Sequence, residues 1–324
     1  MTSPGLGSPD GWHPVPQPVA DAALPSAVRV YEVGPRDGLQ AEPEILPAAL
    51  KTEFCRRLVA TGLGAVEVTS FVPPRWIPQL ADAEEVVGAL GPLDGVRSVA
   101  LVPNLRGLER AAEAGMREVA VVASASESFA RANLNNSLED AVATAEGVIA
   151  EATGEGIPVR AYLSMSFGDP WEGPVPHDRV AHLAARLFAA GARTVALGDT
   201  IGTGTPAHVE RVVGLTADAG VPRERLALHL HDTYGQALGN VQAGLRAGVL
   251  EYDSSAGGLG RCPFAKGATG NLATEDLVWM LHGLGIETGV DLEQLVRVSQ
   301  WMSRTLGRPV PSRVVAALTA AGVA

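Results

Sequence analysis

Eight short runs rich in β-branched residues, each followed by a longer stretch with helical periodicity, recur from residue 28 onward, and few folds accommodate that rhythm. The runs are VRVYEVG at 28–34, GAVEVTS at 64–70, VRSVALV at 96–102, REVAVVA at 117–123, IPVRAYLSM at 157–165, RTVALGD at 193–199, RLALHLH at 225–231 and VLEYDSS at 249–255. Between them lie segments such as ALKTEFCRRLVATG, LRGLERAAEAG, DRVAHLAARLFAAG and PAHVERVVGLTADAG. Several close on an Ala-Gly or Thr-Gly pair, the glycine that ends a helix before the next strand. The runs are apolar without strict alternation, which suits parallel strands covered on both faces. Eight such units over roughly 250 residues match a TIM (β/α)8 barrel. An open doubly wound sheet is the competing arrangement, and the lack of a GxGxxG after the first run argues against it. Residues after about 286, including DLEQLVRVSQWMSRTLG, read as extra C-terminal helices packed outside the barrel. One α/β catalytic domain is therefore expected over 28–324. Residues 1–27, with Pro4, Pro9, Pro14, Pro16, Pro18 and Pro25, read as a disordered proline-rich tail.

Composition narrows the function. With 324 residues, 46% of them hydrophobic, the chain can bury a large core. A net charge of −11 argues against nucleic-acid and anionic-membrane partners, and no apolar run approaches membrane-spanning length. The two cysteines, Cys55 and Cys262, form no disulfide framework, and no secretion signal is present, so a cytoplasmic setting is expected.

Active sites of TIM barrels form at the C-terminal ends of the strands, and the reactive side chains fall there. Run one ends in Gly34-Pro35-Arg36-Asp37-Gly38, run two carries Glu67, run six ends in Asp199-Thr200 and run seven in His229-Leu230-His231. Beyond run eight, the glycine-rich segment 257–270 holds Cys262 and leads to Asn271. Glycine hinges around a lone thiol suit a catalytic lid. His229 and His231, at i and i+2 of a strand, project from one face and can grip a single ion. Asp37 supplies an anionic ligand and Asn271 an amide oxygen. That set suits an octahedral Mg2+ or Mn2+ ion; zinc competes through the imidazoles, but asparagine is a poor zinc ligand. Arg36 is placed to stabilise negative charge on a carbonyl oxygen. Glu67, a lone carboxylate in an apolar strand, needs a partner and is expected to orient Arg36 or a metal-bound water. Asp199 is either a helix N-cap or a substrate contact.

The segments EVGPRDGLQAE (32–42), VEVTSFVPPRWIPQLADAEEV (66–86), LGDTIGTGTP (197–206), HLHDTYGQALGN (229–240) and GGLGRCPFAKGATGNLATEDLVWMLHGLGIETGV (257–290) resemble the 3-hydroxy-3-methylglutaryl-CoA lyase family, within the metal-dependent TIM-barrel lyases. The likeness runs in order from about residue 28 to 310. It implies Asp37, His229, His231 and Asn271 as metal ligands, Arg36 as the group steadying an enolate, and Cys262 as the lid thiol that donates a proton. It implies Glu67 and Asp199 as acidic residues needed for activity, with His229 also catalytic and Gln40 and Thr200 beside the substrate. The implied reaction splits (S)-3-hydroxy-3-methylglutaryl-CoA into acetyl-CoA and acetoacetate, in leucine degradation, and the implied assembly is a homodimer.

Departures from the family pattern are Ala41 and Pro43 after the GLQ segment, Met165 and Phe167 where smaller residues or cysteine are common, Asp169-Pro170-Trp171-Glu172-Gly173 after strand five, and Arg261 before the cysteine. The strand-five changes place bulk and a carboxylate near the expected mouth, which motivates an alternative: a lyase for a larger 3-hydroxy-3-alkylglutaryl-CoA. A Claisen-type condensing enzyme is a further alternative, but such enzymes often carry a regulatory domain for which there is no room. The familiar C-terminal cysteine is missing, so an inter-subunit disulfide is not expected.

Overall fold

The computed structural model describes residues 14–260 and 270–323. Eight parallel strands close in chain order into a barrel: β1 (Arg29–Glu32), β2 (Ala65–Ser70), β3 (Arg97–Leu101), β4 (Val119–Ser124), β5 (Val159–Ser164), β6 (Thr194–Asp199), β7 (Leu226–Leu230) and β8 (Glu251–Ser254), with β8 pairing back onto β1. One main helix occupies each crossover: α1 (Ala48–Ala60), α2 (Ala83–Leu90), α3 (Leu105–Glu113), α4 (Leu138–Gly154), α5 (His177–Ala189), α6 (Pro206–Asp218) and α7 (Ala237–Arg246). After β8 come α8 (Thr274–Gly283), α9 (Leu292–Leu306) and α10 (Arg313–Ala320). The expected barrel and outer helices are thus present. Strand one stops at Glu32, two residues short of the apolar run, because the chain then coils into a wide turn that aims Arg36 and Asp37.

The main core lies between strands and helices, where residues such as Val66, Val68, Leu163, Leu197, Leu228 and Leu281 are buried. The barrel interior is different. Small residues Ala65, Ala120, Ala196 and Ala227 lie beside Tyr31 and Tyr162 in the inner cluster, and the room they leave is filled by charge. Arg160, wholly buried, bridges Glu251 and Asp253 on β8, with its guanidinium 4.2 Å from the Tyr31 ring centre and 5.1 Å from that of Tyr162. Arg97 continues the column toward the base, contacting Glu251 at 3.0 Å and Glu118 at 2.5 Å. TIM barrels are usually filled by layers of branched aliphatic residues. Here ion pairs take their place.

Residues 14–27 are described, and they run against the loop after α8. Val19 N donates to the Gly283 carbonyl, Glu287 N to that of Ser26 and Val28 N to that of Glu287, all at 2.9–3.0 Å. Prolines hold such a strand extended without cost to the chain, so it docks through its backbone and needs no apolar periodicity of its own. The C-terminal helices brace the mouth: Phe54 of α1 packs on Trp301 of α9 at 6.2 Å, Ser312 N donates to the Gly257 carbonyl, and Arg308 pairs with Glu42.

Candidate metal centre and active site

The turn after β1 is built on one carbonyl. The backbone N–H groups of Arg36, Asp37 and Gly38 all donate to Val33 O, at 3.2, 2.7 and 3.2 Å. This wide turn lifts Arg36 and Asp37 over the mouth. Below it, buried Glu32 accepts from Gly34 N (2.7 Å), Ala256 N (2.9 Å) and Thr274 Oγ1 (2.7 Å), tying the β1 turn to the segment after β8. Burial pushes the Glu32 carboxyl up to about 7. Glu275, at the start of α8, receives Gly257 N and the Ser299 hydroxyl, and burial pushes it up to about 8.

Arg36 is clamped from two sides. Its Nε donates to Glu67 Oε1, and its Nη1 to Asp37 Oδ1 at 2.6 Å. Burial opposes the guanidinium charge, but Glu67 and Asp37 outweigh it and hold the group above its ordinary value. Glu67 also accepts from the hydroxyls of Tyr31 (2.8 Å) and Tyr162 (2.7 Å). Of the two roles expected for Glu67, the structure shows the orienting of Arg36. The pairing register slips immediately after it, where Glu67 faces Val99 and Thr69 faces Ala100. A bulge of this kind re-aims side chains beside a site.

Asp37, His229 and His231 converge, with one potential ligand atom from each lying within 4.8 Å of the others. The two imidazoles meet through their Nε2 atoms at 3.3 Å, and His229 Nδ1 lies 3.1 Å from Asp253 Oδ2. Burial, helped by His229, brings His231 down to about 3, so its ring is the neutral form that binds metals. Asp37 is ionised: burial opposes its charge, but Arg36 and then the two histidines pull it down to about 2. Asn271 Nδ2 donates to Asp37 Oδ2 (2.7 Å) and to the Leu259 carbonyl (3.1 Å), leaving its oxygen as the atom to offer a cation. Gly260 makes this approach possible. Its φ is +118°, and a Cβ there would stand 2.5 Å from Asn271 Nδ2. Two neutral-capable imidazoles, an ionised carboxylate and an amide oxygen fit a divalent cation.

A cavity of about 290 Å³ opens beside these groups. Arg36, Asp37, Gln40, Thr200, His229 and His231 line its polar side, and Trp76, Ile77, Leu101, Phe129 and Leu134 its apolar wall. Gln40 Nε2 donates to Asp37 Oδ1 at 2.9 Å, while Thr200 Oγ1 accepts from Met165 N at 2.9 Å. Met165 holds φ +58°, a left-handed conformation unusual for a long side chain.

Of the two readings of Asp199, the helix cap is not observed, since α6 starts at Pro206 behind Thr205. The residue is absent from the cavity lining. Its carboxylate instead accepts from Thr203 N and Gly204 N, both at 2.9 Å, bracing the turn that follows β6, and burial raises it to about 6. The strand-five departures are not among the residues that line this cavity. Asp169 accepts from the Ser126 hydroxyl (2.6 Å) and from Trp171 N and Glu172 N (2.7 Å each), and Met165 and Phe167 are buried outside the lining. Cys262 and Arg261 lie outside the described residues.

Tyr31, Tyr162, Arg160 and Asp253 were not singled out from sequence. The signal was present: Arg160 and Tyr162 on β5, like Glu251 and Asp253 on β8, stand at i and i+2, the spacing that drew attention to His229 and His231.

A family model described as HMGL-like matches residues 27–302. The mitochondrial hydroxymethylglutaryl-CoA lyase of Arabidopsis thaliana is 48% identical over 295 residues, covering 91% of this chain and 63% of the plant protein, so the chain spans less than two thirds of that relative. The cytoplasmic 3-hydroxy-3-methylglutaryl-CoA lyase of Rattus norvegicus is 45% identical over 91% of this chain and 86% of its own length. Among solved structures, hydroxymethylglutaryl-CoA lyase from Pseudomonas aeruginosa has a TM-score of 0.89 at 46% identity, covering 92% of this chain and 99% of that one. An HMG-CoA lyase from Acinetobacter baumannii, solved with coenzyme A and 3-methylmalate, has a TM-score of 0.86 at 35% identity, covering 92% and 97%. On the breadth of that match, from before β1 into α9, the chain belongs to the HMGL-like family.

Proposed function

We propose that this chain is a carbon–carbon lyase that cleaves (S)-3-hydroxy-3-methylglutaryl-CoA to acetyl-CoA and acetoacetate with a Mg2+ or Mn2+ ion. The observation that carries the reading is the convergence of Asp37, His229 and His231 within 4.8 Å, next to a clamped Arg36. Asp37, His229, His231 and Asn271 would hold the ion. Bound there, it would supply Lewis acidity to the substrate's oxygens.

The rest of the chemistry belongs to the chain. The tertiary hydroxyl loses its proton, the bond from its carbon to the carbon next to the thioester breaks, and that electron pair passes to the thioester as an enolate. The hydroxyl carbon becomes the ketone of acetoacetate. Arg36, held by Glu67 from below, presents a fixed positive charge to the enolate oxygen. In this reading Asp37, whose two carboxylate oxygens carry more lone pairs than a cation takes, accepts the hydroxyl proton. In this reading Cys262 returns a proton to the enolate carbon, which releases acetyl-CoA. Gln40 and Thr200 line the acyl group, and Asp199 supports the β6 turn that carries Thr200. The apolar wall from Trp76 to Leu134 excludes water from the breaking bond.

A substrate with a larger alkyl group loses its motive, since Met165, Phe167 and Asp169 do not line the cavity. No helix among the described residues is long and apolar enough to cross a membrane. Homodimer assembly and a cytoplasmic location rest on the family resemblance and on the cysteine usage.

The test is acetoacetate release from (S)-3-hydroxy-3-methylglutaryl-CoA by purified protein supplied with Mg2+ or Mn2+. Release that stops with EDTA and returns with the metal is expected. Undiminished release in excess EDTA overturns the metal-dependent reading, and no release with either metal overturns the substrate.

A further inference from the structure

We infer that Asp253, gripped from behind by Arg160, is a positioning residue that fixes the tautomer and ring direction of His229 for cation binding. The inference rests on the proposed ligand set and extends it one layer down the barrel. His229 and Asp253 are direct partners in the register of β7 and β8. Both are buried, and the ring presents Nδ1 to Asp253 Oδ2 at 3.1 Å. An ionised carboxylate only accepts hydrogen bonds. A neutral imidazole facing it therefore keeps its proton on Nδ1, and the lone pair on Nε2 points to the place where Asp37 and His231 converge.

The carboxylate itself is not free to turn. Its other oxygen, Oδ1, is held by Arg160 Nη2, while Arg160 Nη1 holds Glu251. The guanidinium lies close to the Tyr31 and Tyr162 rings, and Tyr162 also meets the His229 ring edge-on at 5.7 Å. His231 is built differently. Its Nδ1 is buried and has no hydrogen-bond partner among the described residues. Among the described residues, the imidazole whose Nδ1 is anchored by a carboxylate is that of His229.

The arrangement makes Asp253→Asn informative. Arg160 has only donors to offer, so the new amide will turn its oxygen toward Arg160 and its NH2 toward His229 Nδ1. The imidazole must then carry its proton on Nε2, where it can no longer ligate. Mn2+ affinity of the full-length, substrate-free protein, read from free Mn2+ by electron paramagnetic resonance, should fall about 10–100-fold relative to wild type, while circular dichroism stays unchanged. Wild-type affinity in Asp253→Asn overturns the inference and leaves the ligand set standing. Failure of the wild type to bind Mn2+ overturns both. A second measurement needs no variant at position 253: 15N spectra of imidazole-labelled, metal-free wild type, with the His229 signal identified by its loss in His229→Gln, should show the proton on Nδ1. A proton on Nε2 refutes the assignment even if Asp253→Asn does not fold.

Discussion

Replacing Arg160 by methionine tests whether the charged interior holds this barrel together. The side chain is wholly buried and serves two carboxylates at once. After Arg160→Met, Glu251 retains Arg29 at 2.9 Å and Arg97 at 3.0 Å. Asp253 retains only His229, so one buried carboxylate loses its countercharge. Breaking a buried ion pair from one side costs about 3–5 kcal/mol. Unfolding entropy near 2.1 cal/mol/K per residue gives roughly 0.7 kcal/mol/K for a chain of this size, so the melting temperature should drop by roughly 4–7 °C. Scanning calorimetry at neutral pH reads this directly. Adding Asp253→Asn to Arg160→Met removes the orphaned charge, so the double variant should regain at least half of the loss. The reasoning fails if Arg160→Met melts within about 1 °C of wild type, or if the double variant is no more stable than the single one.

Further outcomes are expected from the proposed reaction and from the site. Cys262→Ser should lower turnover by about 10²–10⁴-fold, the usual contribution of a positioned proton donor, with Mn2+ binding unchanged; wild-type turnover removes the thiol from the reaction. Gly260→Ala places a Cβ 2.5 Å from Asn271 Nδ2 at a φ of +118°, so Mn2+ affinity measured by titration calorimetry should weaken by at least about 10-fold. Glu32 and Glu275 are raised by burial to about 7 and about 8, from an unfolded value near 4.5. The folded state thus keeps protons that the unfolded chain has released. The stability they contribute is complete below the unfolded value and is lost as pH rises through 7 and 8. Melting temperature and unfolding free energy should therefore fall from pH 5 to pH 8, and Glu275→Gln, which cannot ionise, should make the free-energy slope measured by denaturant unfolding shallower by up to ~1.4 kcal/mol per pH unit.

The barrel was legible because its signal is periodic and repeated. Eight apolar runs predict eight strands, and each observed strand starts one or two residues into its run and ends within two residues of the run's end. The candidate metal-site residues were legible because His229-Leu230-His231 combines unusual side chains with strand spacing at the end of a run. Asp199 was harder to place, since an aspartate before a Gly-Thr-Gly turn satisfies a helix cap and a loop brace equally well until the path of Thr203 and Gly204 is known. The docking of residues 14–27 left little trace in the side-chain pattern, because backbone groups do much of the holding, with Leu24 packed against the core.

The charged interior follows from how the strands are filled. Isolated, each of Glu67, Arg160, Glu251 and Asp253 would be costly to bury, and none shows its partner in its own strand. The partners arrive from other strands: Arg160 on β5 reaches Asp253 on β8, and Glu67 on β2 receives Tyr31 from neighbouring β1 and Tyr162 from β5. Alanines at 65, 120, 196 and 227 allow these long side chains to cross. An aliphatic filling of the same volume would hold the strands equally well, or better. It could not hold a carboxylate against His229 or a second carboxylate against Arg36. Two of the groups that define the mouth are thus aimed from inside the barrel, by side chains the substrate never has to touch.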